Sequence, residues 1–425
     1  MKIITLFIIF VTDIFAEISG NIKYYYIETN KNFINKKSKS AHSNAIGAQI
    51  KYRTNILNNL HLNATLMTTQ PFLLTNKVES STIGQDNGFM NKNHADNFSI
   101  LGEAYIEYHD SSFNSWIGRK VITTPMIGAK DVRMLPSSIQ GFNGTMQINE
   151  EVEFSISYID HFKQRSSKDF TNIITHALGS DTESIIGNSY GYTISLSLDY
   201  RKEYLDIKLY NLYASNFFNT LYSDISFKKD FYSISAQVVY QSSIGNAEHN
   251  LAKTSSITKG KKINSAGIGI QGILKKDEST FELVYRNIFT DNSSYDSIIT
   301  PWDGTLLYAY SSTTNNLGQS LYGNGLTSGG AYVGGTQGVK IGYTQKYNFI
   351  GLNNFKTHLA YARYSNSRYR ENQDDLKAII QYNSNNFMIQ LKGIWIDNDT
   401  YTYKDGTVNQ LDFLTQYHVI VNYKF

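Results

Sequence analysis

Apolar and polar residues alternate along most of the chain. In "NFSILGEAYIEYHD", Phe98, Ile100, Gly102, Ala104, Ile106 and Tyr108 share one face, and Ser99, Leu101, Glu103, Tyr105, Glu107 and His109 the other. "SYGYTISLSLDYRK" sets Tyr190, Tyr192, Ile194, Leu196, Leu198 and Tyr200 against Gly191, Thr193, Ser195, Ser197, Asp199 and Arg201. "LHLNATLMT" aligns Leu60, Leu62, Ala64 and Leu66. A period of two is the signature of a strand with two different environments. In the two longer segments the apolar face has aromatic residues towards its ends and aliphatic ones between. That arrangement fits a strand whose outer face crosses hydrocarbon between two interfacial girdles. A soluble sandwich also alternates, but has no reason to place Tyr at the ends of face after face.

About eighteen such segments can be read, starting near Ile18, Ala45, Leu60, Phe98, Phe113, Gly144, Val152, Tyr190, Leu205, Leu221, Tyr232, Ala266, Phe281, Val339, Phe355, Leu376, Phe387 and Leu411. Each is near the ~10 residues a tilted strand needs to cross a bilayer. Long polar stretches follow the third, seventh, eleventh and thirteenth, the longest from about Thr290 to Gln337; "DSS", "RKE", "KD" and "SN" follow the fourth, eighth, tenth and sixteenth. The expected fold is therefore all-β: a transmembrane antiparallel β-barrel of about eighteen strands, with long extracellular loops and short periplasmic turns. An even strand count puts both termini on the periplasmic side, in a bacterial outer membrane.

The last nine residues, "YHVIVNYKF", alternate without a break and stop on Phe425. In a closed barrel this strand would pair with the first, leaving no edge in lipid. All four prolines (Pro71, Pro125, Pro136, Pro301) fall where alternation is absent, as expected of a chain made almost wholly of paired strands.

Composition narrows the function classes. The 39 Lys+Arg against 36 Asp+Glu leave a net charge of +3, too balanced for a nucleic-acid binder, which needs a basic stripe. The absence of cysteine excludes disulfides, thiolate metal sites and cysteine nucleophiles. "MKIITLFIIFVTDIFA" has a lysine before a short apolar run and ends on Ala16, which reads as a secretory signal peptide over residues 1–16. Ile3 to Phe10 is too short to span a membrane as a helix. Residues 17–425 would then form the barrel, in one domain.

One stretch is more specific. "IGRKVITTPMIGAKDVRMLPSSIQGF", Ile117 to Phe142, contains Gly118-Arg119, Thr124-Pro125, Asp131-Val132-Arg133, Leu135-Pro136 and Gly141-Phe142. In order and spacing it resembles the third-loop region of OprD-family porins. The strand count and a Gly-rich seventh loop, "LYGNGLTSGGAYVGG", agree. The resemblance implies a passive channel for small solutes, often carrying a carboxylate, narrowed by inward-folded loops and lined along one wall by a basic ladder. It also implies that Phe425, with Tyr423, Val421, Val419 and Tyr417 before it, forms a signal read by the barrel-insertion machinery.

The residues can be tested against a basic ladder on their own terms. In "DDLKAIIQYNSNNFMIQLKGIWI" a turn at Ser384-Asn385 pairs Tyr382 with Phe387, Ile380 with Ile389 and Ala378 with Leu391, and sets Lys377 opposite Lys392. Like charges face to face are destabilising, unless they border water and serve a passing anion; the alternative is that both snorkel to a rim. With the "DSS" turn centred on Ser111, Glu103 falls opposite Arg119 on the inner face, as a selectivity element or a wall-stiffening ion pair. Further bases expected inside are Lys51, Arg53, Lys208, Arg286 and Lys340, and further acids Glu107, Glu153, Asp199, Asp206 and Glu282. Acids concentrate in strands four to nine and several bases in thirteen to seventeen, which would set a field across the lumen. The third loop supplies Lys130, Asp131 and Arg133. Arg133 is the expected constriction residue, unless Asp131 and Arg133 only clasp the loop base.

Other signals carry little. The Gly-rich loop has no strand-to-helix switch for a phosphate, and "DNDTYTYKDG" lacks the closing glutamate of a calcium loop. No Ser/His or Asp/His cluster suggests an enzyme, and no cofactor is expected. The long loops also allow a surface-binding barrel such as an adhesin. The pattern does not choose between monomer and homotrimer.

Overall fold

The computed structural model describes residues 16–33, 37–72, 97–129, 134–251, 253, 258, 260–308, 332–366, 370–397, 401–402, 408–409 and 411–425. Eighteen strands form the wall: β1 (Glu17–Phe33), β2 (Lys39–Leu57), β3 (Leu60–Pro71), β4 (Phe98–His109), β5 (Phe113–Lys120), β6 (Ser138–Gln147), β7 (Val152–Lys163), β8 (Thr193–Lys202) and β9 (Leu205–Ala214) in the first half. The second half comprises β10 (Phe218–Lys228), β11 (Tyr232–Ser243), β12 (Asn264–Lys276), β13 (Ser279–Ile288), β14 (Gln337–Tyr347), β15 (Leu352–Asn366), β16 (Arg370–Asn383), β17 (Phe387–Asp397) and β18 (Leu411–Lys424). Each pairs antiparallel with the next, and β18 pairs with β1. The ring is closed. At the seam Gly20 N donates to Phe425 O at 3.0 Å and Phe425 N to Gly20 O at 3.1 Å, so the terminal residue is itself paired.

All eighteen expected segments are present, with earlier or later starts where contrast is weak. β6 begins at Ser138 rather than Gly144, because Ile139 points into an apolar interior and removes the alternation. Loops are less regular than expected: the connection after β9 is only residues 215–217. On the other rim the two-residue turns at 203–204 and 277–278 open on positive φ, 44° at Glu203 and 52° at Asp277, as tight hairpins require.

The outer face is apolar all round. Leu101, Ile117, Leu209, Leu221, Ile234, Leu283, Ile341, Leu359, Ile380 and Leu391 are each exposed. A continuous apolar belt of this extent is not tolerated in water and is matched by lipid. Aromatic contacts border it at the loop end (Tyr158 on Tyr192, centroids 5.4 Å apart) and at the turn end (Phe281 on Tyr343, 4.9 Å; Phe355 on Tyr382, 5.0 Å). Among the described residues no helix is long and apolar enough to cross a membrane; the strands do so.

Loops fold into the lumen. Loop 3 (121–137), loop 4 (164–192) and the described part of loop 7 (289–308 and 332–336) contribute Met126, Ile127, Ile173, Ile174, Ile298, Ile299, Trp302 and Leu306 to one cluster. It rests on the inward residues Tyr210, Leu212, Phe218, Tyr222, Val239 and Ile288 of β9, β10, β11 and β13. A second cluster packs Met134 and Leu135 of loop 3 on Tyr25, Ile27, Ala45, Met67 and Phe98 of β1–β4. Loop 3 is thus anchored on two different arcs of the wall.

Candidate functional site

The inner face of β13–β17 is the basic arc. Arg286 on β13 lies between Gly269 of β12 and Gly338 of β14; Lys340 between Val284 and Ala362; Lys377 between Ala360 and Ile394. Long cations alternate with small or apolar neighbours, which leaves room for their side chains to lie along the wall. Arg286, Lys340 and Lys377 keep only 2%, 3% and 8% of their surface. Lys340 Nζ is 2.6 Å from Glu282 Oε2, whose other oxygen accepts from Gln271 Nε2 at 2.6 Å. Arg286 stacks its guanidinium 4.7 Å from the centroid of the Tyr364 ring. Both its terminal nitrogens are buried without a hydrogen-bond partner. Buried donors are nearly always satisfied; these two are not, so the Arg286 charge is left uncompensated by hydrogen bonding there and adds its positive field to the wall.

The facing arc, β4–β10, is the acidic one. Asp199 is 3.0 Å from Lys208, which lies across from both Asp199 and Asp224. Asp224 accepts from Gln237 Nε2 at 2.8 Å and Tyr222 OH at 3.2 Å. Glu153 pairs in register with Asp199 on the same face, and Asp206 bridges to Lys228 nearer the turns. Lys51 and Arg53 share the inner face of β2 with Gln49, opposite Ser19 and Glu17 of β1.

Two expected pairings are corrected. Lys377 does not face Lys392: Lys377 pairs with Ile394, and Lys392 with Ile379 and His418. Ser384 N bonds Phe387 O at 2.8 Å, so the turn is Asn385–Asn386, one residue later than expected. Moving the turn centre by one shifts the pairing by two and leaves every side chain on its face. Both lysines remain inward, offset along the wall.

Glu103 and Arg119 do not face each other either. Asp110 accepts from the backbone N–H of Ser112 and of Phe113, each at 2.8 Å; these bonds, that from Ser112 foremost, hold its carboxyl down to about 2. The turn is therefore Ser111–Ser112, and Arg119 pairs with Ala104. That slip of one turns Arg119 to the outer side with Ile117, beside Gln140, with its guanidinium 4.4 Å from the Phe170 ring centroid. Lys120 takes the inner position, 2.7 Å from Glu107. Glu103 instead accepts from Thr65 Oγ1 (2.7 Å) and Val121 N (2.9 Å), fastening the start of loop 3. A bulge between Thr65↔Glu103 and Leu66↔Leu101 also divides β4: Phe98 and Ile100 pack inward, against the expected lipid face, while Ala104 and Ile106 keep it. Lys130, Asp131 and Arg133 lie outside the described residues, as does most of "DNDTYTYKDG".

No family model and no curated protein matches the chain. Solved structures do. The barrel superposes on Pseudomonas aeruginosa OccK9 (OpdG) with a TM-score of 0.72 at 13% identity, over 96% of this chain and 98% of that one. It shares the fold. Against P. aeruginosa OpdK solved with vanillate the TM-score is 0.68 at 13% identity, covering 96% and 98%; against Acinetobacter baumannii OccAB3 it is 0.69 at 12%, covering 96% and 100%. These neighbours are porins of the OprD/Occ group, the group that the third-loop segment resembles.

Several lumen groups were not among those expected. Lys23, Asp224, Asp375 and His418 are inward, and His418 Nδ1 sits 2.8 Å from Tyr25 OH across the seam. Lys23 and His418 follow from alternation once β1 and β18 are placed. The ion pair between Arg165 and Asp303 joins two loops 138 residues apart, and nothing local announces it.

Proposed function

We propose that the protein is an outer-membrane channel for passive uptake of small polar or carboxylate-bearing solutes. The observation that carries this reading is the buried, unpartnered Arg286 guanidinium on a wall that also holds Lys340, Lys377 and Lys392. An anion passing that wall would be attracted by its uncompensated positive charge, which a narrow lumen focuses. The acidic arc opposite would hold an ammonium, so a zwitterion could be steered by both. The neighbour solved with vanillate, an aromatic carboxylate, supports the class. Lys130, Asp131 and Arg133 would border the narrowest part, since both flanks of that segment are anchored inside the barrel. Exit of both termini on the short-turn side and delivery by the barrel-insertion machinery through the Phe425 terminus belong to the same reading.

Planar-bilayer recording tests it. Unit current steps, with reversal potentials favouring anions at low salt, are expected. Barrels that insert but never conduct would leave a surface-binding role.

A further inference from the structure

The sequence between the strands contains one arrangement that the channel reading does not use. Asp303, in "PWDG" of loop 7, is 92% buried, and its carboxylate draws described partners from two other elements. Arg165, just beyond β7, places Nη1 at 3.1 Å from Oδ1 and 3.3 Å from Oδ2. Ser137, at the end of loop 3, donates its hydroxyl to Oδ2 at 2.7 Å, and the same hydroxyl accepts from Arg165 N at 3.0 Å. Lys163, also buried, donates to Pro136 O at 3.2 Å beside them.

Around this centre the backbones of loops 3 and 7 are bonded to each other. Gly128 N donates to Trp302 O and Thr305 N to Pro125 O, each at 2.9 Å. The approach is close enough that a Cβ on Gly128 would lie 2.4 Å from Asp303 O, and one on Gly304 2.4 Å from Met126 O. Trp302 then fixes loop 7 to the rest: its Nε1 donates to Ile173 O at 2.8 Å and its ring stacks on Phe218 of β10 at 5.6 Å. Three loops and the wall meet at residues 302–303.

We infer that the Ser137–Arg165–Asp303 clasp is a positioning device: it holds loops 3 and 7 together across the lumen and so sets the largest solute that can pass. The physical reason is that loop-to-loop backbone bonds are individually modest, and loops otherwise open locally at low free energy. A buried carboxylate shared by one guanidinium and one hydroxyl locks both ends at once, because opening either loop strands a charge away from water. Without the clasp, loop 7 would leave loop 3 and the aperture would widen. The claim rests on the channel reading for its consequence, but the clasp itself can be judged apart from it.

The test uses the full-length barrel in detergent micelles and in planar bilayers. In Asp303→Asn, amide exchange of the peptides containing Gly128 and Thr305 should quicken by roughly tenfold or more, because protection reports local opening. Unit conductance should rise, and liposomes should admit oligosaccharides that the wild type excludes. Should Asp303→Asn fail to insert, the double variant Ser137→Cys with Asp303→Cys decides. The chain has no other cysteine, the Ser137 and Asp303 side chains are in hydrogen-bond contact, and thiol titration after oxidation verifies that the two thiols have joined before the redox states are compared. Oxidised, it should exchange and conduct like the wild type; reduced, it should exchange faster and admit larger sugars. Exchange unchanged in Asp303→Asn, or equal in both redox states, overturns the clasp. Faster exchange with an unchanged size limit overturns its role in the aperture. Wild-type barrels that never conduct would sink the channel reading, and the size limit with it, while exchange still judges whether the loops are locked.

Discussion

Replacing Arg286 with Met should move barrel stability and anion passage in opposite directions. Arg286 is 98% buried and its terminal nitrogens have no hydrogen-bond partner, so the folded protein carries desolvation that no ion pair among the described residues offsets; the Tyr364 ring, 4.7 Å away, compensates in part. Effective penalties for buried ions run to several kcal/mol, and a cation over an aromatic ring recovers about 1–2 kcal/mol. Arg286→Met keeps length and apolar contact with Tyr364, so the barrel should gain about 1–3 kcal/mol. For the solute the sign reverses. A carboxylate ~4 Å from the guanidinium gains about 1 kcal/mol if the lumen behaves as water and about 4 kcal/mol at an effective dielectric of ~20. Taking even the lower end, loss of the charge should cut carboxylate permeation by about fivefold. The assay is the reversal potential across a KCl gradient, together with uptake of a monocarboxylate into liposomes. It should be run near 0.01 M salt, where the Debye length is ~30 Å, and repeated at 1 M, where it is ~3 Å and the difference should shrink. Equal reversal potentials and uptake in dilute salt would show that Arg286 lies off the permeation path. A less stable Arg286→Met barrel would show that the guanidinium is satisfied after all.

Replacing Lys377 and Lys392 together with Gln removes two inward charges from the same wall, so current should shift toward cations at low salt; unchanged selectivity would put both outside the path. Phe425→Lys should sharply reduce the amount of barrel inserted in cells. A charge near the interface costs a folded barrel only ~0–1 kcal/mol, so normal refolding of the purified variant with poor insertion in cells would separate recognition from stability, and normal insertion in cells would refute the signal. Mass spectrometry of the membrane-inserted protein should find Glu17 at its N-terminus, and an intact Met1 would refute cleavage after Ala16.

Side-chain direction was legible wherever a strand separates water from lipid. Tyr417, Val419, Val421, Tyr423 and Phe425 face outward on β18, and Gln416 and His418 inward, as alternation requires. The reading weakened where loops fill the lumen, because there both faces are apolar: Ile139, Ile159 and Phe162 are buried inside and give β6 and the end of β7 no contrast. It failed at β4, where one bulged residue, Gly102, interchanges the faces on either side; a bulge leaves no mark in a hydrophobic pattern.

By itself the sequence determined the strand number, the class of fold and, for most strands, which residues look inward, because period two is a property of each segment alone. Partners across strands were decided by the tertiary structure. A shift of two, as between Lys377 and Lys392, keeps every apolar residue in lipid and so costs the pattern nothing; a turn's hydrogen bonds choose the register. A shift of one, as at Arg119, was chosen by Asp110 and two backbone N–H groups. The clasp at Asp303 is further still from the sequence: its members become neighbours only when the ring closes and three loops enter one lumen.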